Sequence, residues 1–286
     1  MESQYISAKS YLFVPANRQD FIRKAVNVAA DVIIIDLEDS VPMAAKAEAR
    51  GGILETAQRL FSEGKRVAVR VNNDLGNLAA DLQSLPLSIL HSILLPKAQN
   101  AGIIQMIDQY LVDLELQQSW GIGSTSLIPM IESCTGVLNL RSIAKSSPRV
   151  RALALGSEDL AADLGVPAVP ESLLATCQHM ALVAGEARLD ALGFPGSIGE
   201  FNDLDQLGRN LMQAKSLGFG GALCIHPTQV PIVNQAFAYP LEQQVWARRV
   251  IDAMAVAQSH GQGTAKLDGR MLDAPVVALA NRILGQ

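Results

Sequence analysis

Short β-branched and aliphatic runs alternate along the chain with longer stretches whose apolar residues recur every three to four positions. The runs at 10–16 (SYLFVPA), 30–39 (ADVIIIDLED), 66–72 (RVAVRVN), 92–97 (SILLPK), 126–133 (SLIPMIES) and 150–157 (VRALALGS) predict strands. A Gly- and Pro-rich segment around 193–198 is a weak seventh, and 220–227 (GGALCIHP) an eighth. Between them the spacing predicts helices over 17–30, 43–63, 74–84, 100–117, 136–146, 158–164, 171–189 and 203–217. The first carries Phe21, Ile22, Ala25, Val26 and Ala29 on one face. A tail follows, with helices at 241–258 and 275–284 around the break GQGTAK (261–266).

Eight strand-then-helix units predict an α/β chain folded as a (β/α)8 TIM barrel over 1–240, with a C-terminal helical lid over 241–286. A doubly wound open sheet has the same unit pattern. The barrel is preferred because eight units close one, and no glycine-rich dinucleotide fingerprint follows the first strand.

In a barrel the C-terminal ends of all strands meet at one rim, where active sites are built. Here those ends carry Asp36, Glu38 and Asp39; Arg70 and Asn72; Lys97; Glu132; Glu158 and Asp159; and His226. Alternation puts Val67, Val69 and Val71 on one face of the third strand and Ala68, Arg70 and Asn72 on the other, so Arg70 points into the mouth. Asp36 and Glu38 likewise share a face. Buried charges must pair, bind a ligand or hold a metal. Each has a plainer reading: Asp159 as a helix cap, Asp39 as a turn cap, Arg70 as an ion-pair partner only, Lys97 as a solvated loop residue, His226 as structural. Glu132 and Asp159 are the candidate metal ligands. Two carboxylates with the other positions left to water and substrate suit Mg²⁺, a hard octahedral ion.

Composition narrows the function classes. The chain has 286 residues, 49% hydrophobic and 18% charged, with a net charge of −5. That composition excludes a disordered chain and argues against a nucleic-acid binder. The three cysteines, Cys134, Cys177 and Cys224, form no disulfide or zinc spacing. The stretch 1–10 has no signal-peptide core and no run is long enough to span a membrane, so a cytoplasmic protein is expected.

Eight motifs then occur in register: LFVPANR (12–18), IIDLEDSV (34–41), VRVN (69–72), LLPK (94–97), IPMIES (128–133), LALGSEDLAADLG (153–165), LGFGGALCIHPTQV (217–230) and GRMLDAP (269–275). Together they resemble the citrate lyase β-subunit-like family of acyl-CoA lyases, within the HpcH/HpaI aldolase superfamily, over residues 10 to 284.

The resemblance implies a barrel that binds Mg²⁺ (or Mn²⁺) and a CoA thioester. It implies reversible retro-Claisen cleavage of a 3-hydroxyacyl thioester such as citryl-, malyl- or citramalyl-CoA into an acyl-CoA and a 2-keto acid. Glu132 and Asp159 match the family's metal ligands, Arg70 its substrate-binding arginine, and Glu38 an acid beside metal and substrate. Asp273 matches an aspartate on the lid that reaches a neighbouring subunit's site, and Arg18 and Lys24 match basic positions near the CoA end. A homo-oligomer, commonly a trimer in similar proteins, is implied, and an acyl-carrier protein is a possible alternative carrier of the thioester. The chain departs from the family at Gly220 and Ala222, where similar proteins often have an Asp and a basic residue, and across 191–207. Both departures are expected near the rim, bearing on the acyl group and some CoA contacts. Two other readings stand beside the lyase: an aldolase releasing pyruvate from a free hydroxy-keto acid, and a non-catalytic binder of CoA thioesters or keto acids.

Overall fold

The second strand, VIIID, is buried along its whole length, as a strand covered on both sides must be. In the computed structural model, which describes residues 8–285, it belongs to an eight-stranded parallel sheet. The strands are β1 (Ser10–Pro15), β2 (Val32–Asp36), β3 (Arg66–Arg70), β4 (Leu90–Leu95), β5 (Ser126–Ile131), β6 (Ala152–Leu155), β7 (Asp190–Leu192) and β8 (Ala222–Cys224). They neighbour one another in chain order, and β1 also pairs with β8. A parallel bridge between Leu192 and Gly221 closes the ring, with the Gly193 N–H donating to Gly221 O at 2.9 Å and the Gly220 N–H to Ala191 O at 2.9 Å. The architecture is the (β/α)8 barrel.

Around it run α1 (Gln19–Ala25), α2 (Lys46–Gly51), α3 (Ile53–Ser62), α4 (Leu75–Ser84), α5 (Ala101–Gln117), α6 (Cys134–Leu138), α7 (Leu140–Ala144), α8 (Ser157–Leu164), α9 (Pro170–Ala187), α10 (Leu204–Leu217) and α11 (Gln229–Phe237). The expected helix 43–63 is broken at Gly52, and 136–146 at Asn139. The helix after the eighth strand, α11, gave no clear signal in the sequence.

Strand alternation produces two cores. Ile33, Ile35, Val67, Val69 and Val71 pack outward under the helices. Tyr11, Val32, Ile34, Ala68, Leu94, Ile128, Met130 and Leu223 fill the barrel interior. Asp36 and Arg70 continue the inward rows of β2 and β3, and Glu132 that of β5.

Three expectations are corrected. The seventh strand lies at Asp190–Leu192, not 193–198, because Gly193 (φ 130°) and Gly196 (φ 157°) take backbone conformations that end it. Asn72 does not line the mouth. β3 ends at Arg70, the alternation stops, and the Asn72 amide donates to Asp81 (2.7 Å) and to Leu37 O (3.1 Å). Gly220 and Ala222 are not at the rim but at the start of β8, where Ala222 is fully buried and its N–H donates to Lys9 O. The neighbouring Gly221 has no room for a side chain, since a Cβ would sit 2.5 Å from Lys9 O.

The chain divides into two compact units, 1–237 and 238–286. The second contains α12 (Leu241–Ser259), an antiparallel hairpin of β9 (Ala265–Leu267) and β10 (Arg270–Leu272), and α13 (Ala274–Leu284). Ala247, Val250, Met254, Leu272 and Ala280 form its core. Among the described residues no helix is long and apolar enough to cross a membrane. The absence of a signal-peptide core was read from 1–10, of which 1–7 lie outside the described residues. All three cysteines are free, and burial pushes the thiols of Cys177 and Cys224 up to about 12.

Candidate active site

Asp36 and Arg70 are register partners on β2 and β3. Arg70 Nε donates to Asp36 Oδ1 at 2.6 Å and Nη2 to Oδ2 at 2.7 Å, a fork that fixes the guanidinium plane. Asp36 also accepts the Glu38 N–H (3.0 Å) and the Ser40 hydroxyl. Burial works to raise the Asp36 pKa, but the Arg70 guanidinium outweighs it and holds the carboxyl below its ordinary value. Arg70 is raised in turn despite its own burial. The Phe13 ring lies 4.7 Å beneath the guanidinium carbon.

Glu38 follows on the same side. Its Oε1 accepts from Lys97 Nζ at 2.8 Å. Its Oε2 lies 3.0 Å from Arg70 Nη1 without hydrogen-bond alignment, and is a buried oxygen with no hydrogen bond. Burial raises the Glu38 pKa although Arg70 and Lys97 oppose it. The loop behind is held by Lys46, buried, whose ammonium donates to Leu37 O (2.9 Å), Glu38 O (2.8 Å) and the Asn72 side chain.

Glu132 directly follows β5, in a slot opened by a glycine. A Cβ on Gly156 would come within 2.3 Å of Glu132 Cγ and 2.6 Å of Oε1. Lys97 takes a left-handed conformation (φ 52°) and its N–H donates to Glu132 Oε2 at 2.6 Å. Burial pushes the Glu132 pKa up to about 7; Lys97's N–H opposes this, while Glu38 and Asp159 add to it. Asp159 projects from the first turn of α8, whose N-cap is Gly156, so Asp159 does not cap that helix. Glu132 and Asp159 line a cavity of about 220 Å³ together with Asp36, Arg70 and Glu158. They also line a polar groove with Asn73, Lys97, Gln99 and Ser133.

The structure therefore brings Arg70, Glu38, Glu132 and Asp159 to one rim. Asp39 and Lys97 join them at the edge, Asp39 lying 3.7 Å from Arg70 and 3.6 Å from Lys97. Arg18 is at the same end, at the N-terminus of α1, exposed, paired with Asp20 (3.0 Å) and stacked over Phe21. Lys24 lies in the last turn of α1, on the outside and away from the cavity lining. Asp273 belongs to the second unit, where it caps α13 by accepting the Val276 N–H at 3.4 Å. His226 stacks on Phe201 at 4.9 Å and shares a 2.7 Å contact with Thr228. Sequence reasoning missed Gly156. A glycine between a strand and its helix signals close approach, but not of which side chain.

A buried carboxylate with a raised pKa, a second one beside it and a hydrogen-bond-free oxygen on Glu38 form an oxygen-rich donor set suited to a hard divalent cation. Among the described residues no cluster of three or more His, Cys, Asp or Glu side chains is arranged as a metal site, so most of such an ion's coordination would come from water and ligand.

Comparison with known proteins places the chain in a family. The model of the HpcH/HpaI aldolase/citrate lyase family matches residues 9–227. The citrate lyase subunit beta of Leuconostoc mesenteroides subsp. cremoris is 31% identical over 283 residues, covering 96% of this chain and 92% of that protein. A (3S)-malyl-CoA thioesterase of Cereibacter sphaeroides is 32% identical over 285 residues, covering 97% and 94%. Among solved structures, protein CitE from Mycobacterium tuberculosis in complex with magnesium, acetoacetate and coenzyme A superposes with a TM-score of 0.70 at 28% identity, covering 97% of each chain. RipC from Yersinia pestis gives a TM-score of 0.69 at 28% identity, covering 84% of this chain and 99% of that one. The chain belongs to the HpcH/HpaI aldolase/citrate lyase family.

Proposed function

We propose that the protein is a Mg²⁺-dependent carbon–carbon lyase that cleaves, or in reverse forms, a 3-hydroxyacyl-CoA thioester, giving an acyl-CoA and a 2-oxo acid. The observation that carries this reading is the meeting of Glu132 and Asp159 with Arg70 around one small cavity, with Glu38 3.0 Å from the Arg70 guanidinium. Relatives that handle malyl-CoA and a solved relative holding magnesium with coenzyme A support it.

Glu132 and Asp159 would hold the ion. When bound, Mg²⁺ supplies Lewis acidity to the oxygens of the oxo acid. Arg70 keeps N–H groups beyond those given to Asp36, and these stabilise negative charge on the thioester oxygen as the bond breaks. Glu38, with its raised pKa and its oxygen free of hydrogen bonds, takes the substrate's hydroxyl proton. The C–C bond electrons pass to the acyl-CoA half as an enolate. Asp273 of the C-terminal unit, acting in its protonated form as a lid on a neighbouring subunit's site in a homo-oligomer, gives its proton to the enolate carbon. Glu38 then releases the hydroxyl proton to solvent and Asp273 takes one up, which closes the cycle. Arg18 serves the CoA end, and Lys24 contributes positive charge farther along α1.

A second reading is thioester hydrolysis, favoured by the 32% identity to malyl-CoA thioesterases. A panel of 3-hydroxyacyl-CoA esters assayed with and without Mg²⁺ separates the two. Release of an acyl-CoA plus a 2-oxo acid supports the lyase, and release of free CoA thiol supports the hydrolase. Activity only on carrier-protein thioesters, or only on free hydroxy-keto acids, would replace the CoA reading. No turnover anywhere by a folded, metal-bound protein would leave a binding protein.

A further inference from the structure

One side of the cavity beside Glu132 and Asp159 is built from Phe13, Met130, Leu155, Ile198, Leu223 and Ile225. Phe13, Met130 and Leu223 come from the inward rows of β1, β5 and β8. Ile198 comes from the loop after β7, the segment that departs from the family pattern, and packs against the barrel-interior core.

This wall is locked in place. Glu158 Oε1 accepts from the Ser197 hydroxyl (2.5 Å) and the Gly199 N–H (3.1 Å), gripping the loop on both sides of Ile198. Gln229, almost fully buried, donates from Nε2 to Ile198 O at 3.0 Å. Its Oε1 accepts from the N–H groups of Ile225 (2.8 Å) and His226 (3.1 Å). One buried amide thus fixes two wall residues from separate loops.

The charges around the cavity are unbalanced. Among the described residues lining it there are four carboxylates, on Asp36, Glu132, Glu158 and Asp159, and one cation, Arg70. Arg70 gives two N–H groups to Asp36 and lies beside Glu38, and in the proposed mechanism the rest serve the thioester oxygen, so none is left for a further carboxylate. A second substrate carboxylate directed at the apolar wall would be buried without a partner, among acids.

We infer that the wall is the specificity pocket for the substituent on the oxo-acid half, and that it takes hydrogen or a short alkyl group and rejects a carboxylate-bearing one. This rests on the lyase reading and narrows it. The substrates are 3-hydroxyacyl thioesters whose cleavage gives an unbranched monocarboxylic 2-oxo acid, best with a methyl or ethyl substituent. Citryl-type esters, which release a dicarboxylic oxo acid, are excluded.

Two measurements test it. In the first, glyoxylate, pyruvate, 2-oxobutyrate and oxaloacetate are titrated into the Mg²⁺-loaded full-length protein by calorimetry. Pyruvate and 2-oxobutyrate are expected to bind best, glyoxylate about tenfold more weakly for want of the methyl group, and oxaloacetate at least about a hundredfold more weakly. In the second, kcat/KM is compared across the matching thioesters, with the same order expected. Ile198→Lys, and Ile225→Lys at the more exposed edge, should each move both orders toward the dicarboxylic ligand. Oxaloacetate binding as tightly as pyruvate to the unaltered protein would overturn the inference, and so would lysine variants that leave the order unchanged. If no thioester is cleaved while the oxo acids bind in the stated order, the lyase reading fails and the pocket assignment stands. If the dicarboxylic thioester is cleaved best, the lyase reading stands and the pocket assignment fails.

Discussion

Arg70 and Asp36 face each other in register on neighbouring strands and join through two hydrogen bonds of 2.6 and 2.7 Å at the floor of the cavity. The pair sets the guanidinium plane over Phe13 and leaves Nη1 3.0 Å from Glu38 Oε2. Asp36→Asn removes the forked partner of a buried cation, leaving only Glu38 and Asp39 beside it, and should destabilise the fold by about 3 kcal/mol in chemical denaturation. Arg70→Lys keeps the charge but loses the fork. It should lower kcat by about 10²-fold while destabilising less than Asp36→Asn, as steady-state kinetics and denaturation together would read.

Mg²⁺ affinity should rise with pH through neutrality. Glu132 holds its proton to about pH 7, and a cation must displace that proton to bind. Below that pH the apparent affinity should fall by roughly tenfold per unit, and above it level off. Calorimetry in buffers of different ionisation enthalpy should detect close to one proton released at pH 6 and few at pH 8.5.

The same shift has a stability consequence in the metal-free protein. A carboxyl pKa raised on folding means the folded state keeps a proton that the unfolded chain gives up. The associated stability is present below the unfolded value and is lost as pH rises through about 7. Glu132→Gln should flatten this part of the stability profile and raise Tm at pH 8, measured without metal.

Gly156→Ala should disable the proposed metal site without unfolding the barrel. The backbone there (φ −96°) accepts alanine, but its Cβ would collide with the Glu132 side chain. A loss of tenfold or more in Mg²⁺ affinity is expected, with secondary structure by circular dichroism unchanged. Unaltered affinity would show that the Glu132 position does not depend on this slot.

Asp273→Asn separates structure from chemistry in the C-terminal unit. Asparagine caps a helix as well as aspartate, so α13 should keep its stability. Loss of a proton donor should lower turnover by about 10²-fold or more. Unchanged turnover would remove Asp273 from the mechanism.

The barrel and its rim are legible in the order of residues alone. Eight apolar runs followed by amphipathic stretches leave few architectures, and the period of two in RVAVR separates Val67 and Val69 from Arg70 without any coordinates. Motifs in register also pointed to Glu132, Asp159, Glu38 and Arg70 as candidates. What these residues do to one another depends on folding. Asp36 meets Arg70 across 34 positions, Glu132 lies in a slot cleared by Gly156, and Lys97 turns its N–H to Glu132 through a left-handed backbone. Periodicity ends with the strand, so alternation points Asn72, two residues past β3, to the mouth, whereas it turns to Asp81. The three-residue seventh strand and the loop carrying Ile198 were illegible for a related reason. Their conformation is set by Gly193 and Gly196 and by contacts to Glu158 and Gln229 from other segments, and long-range contacts of that kind leave no local pattern.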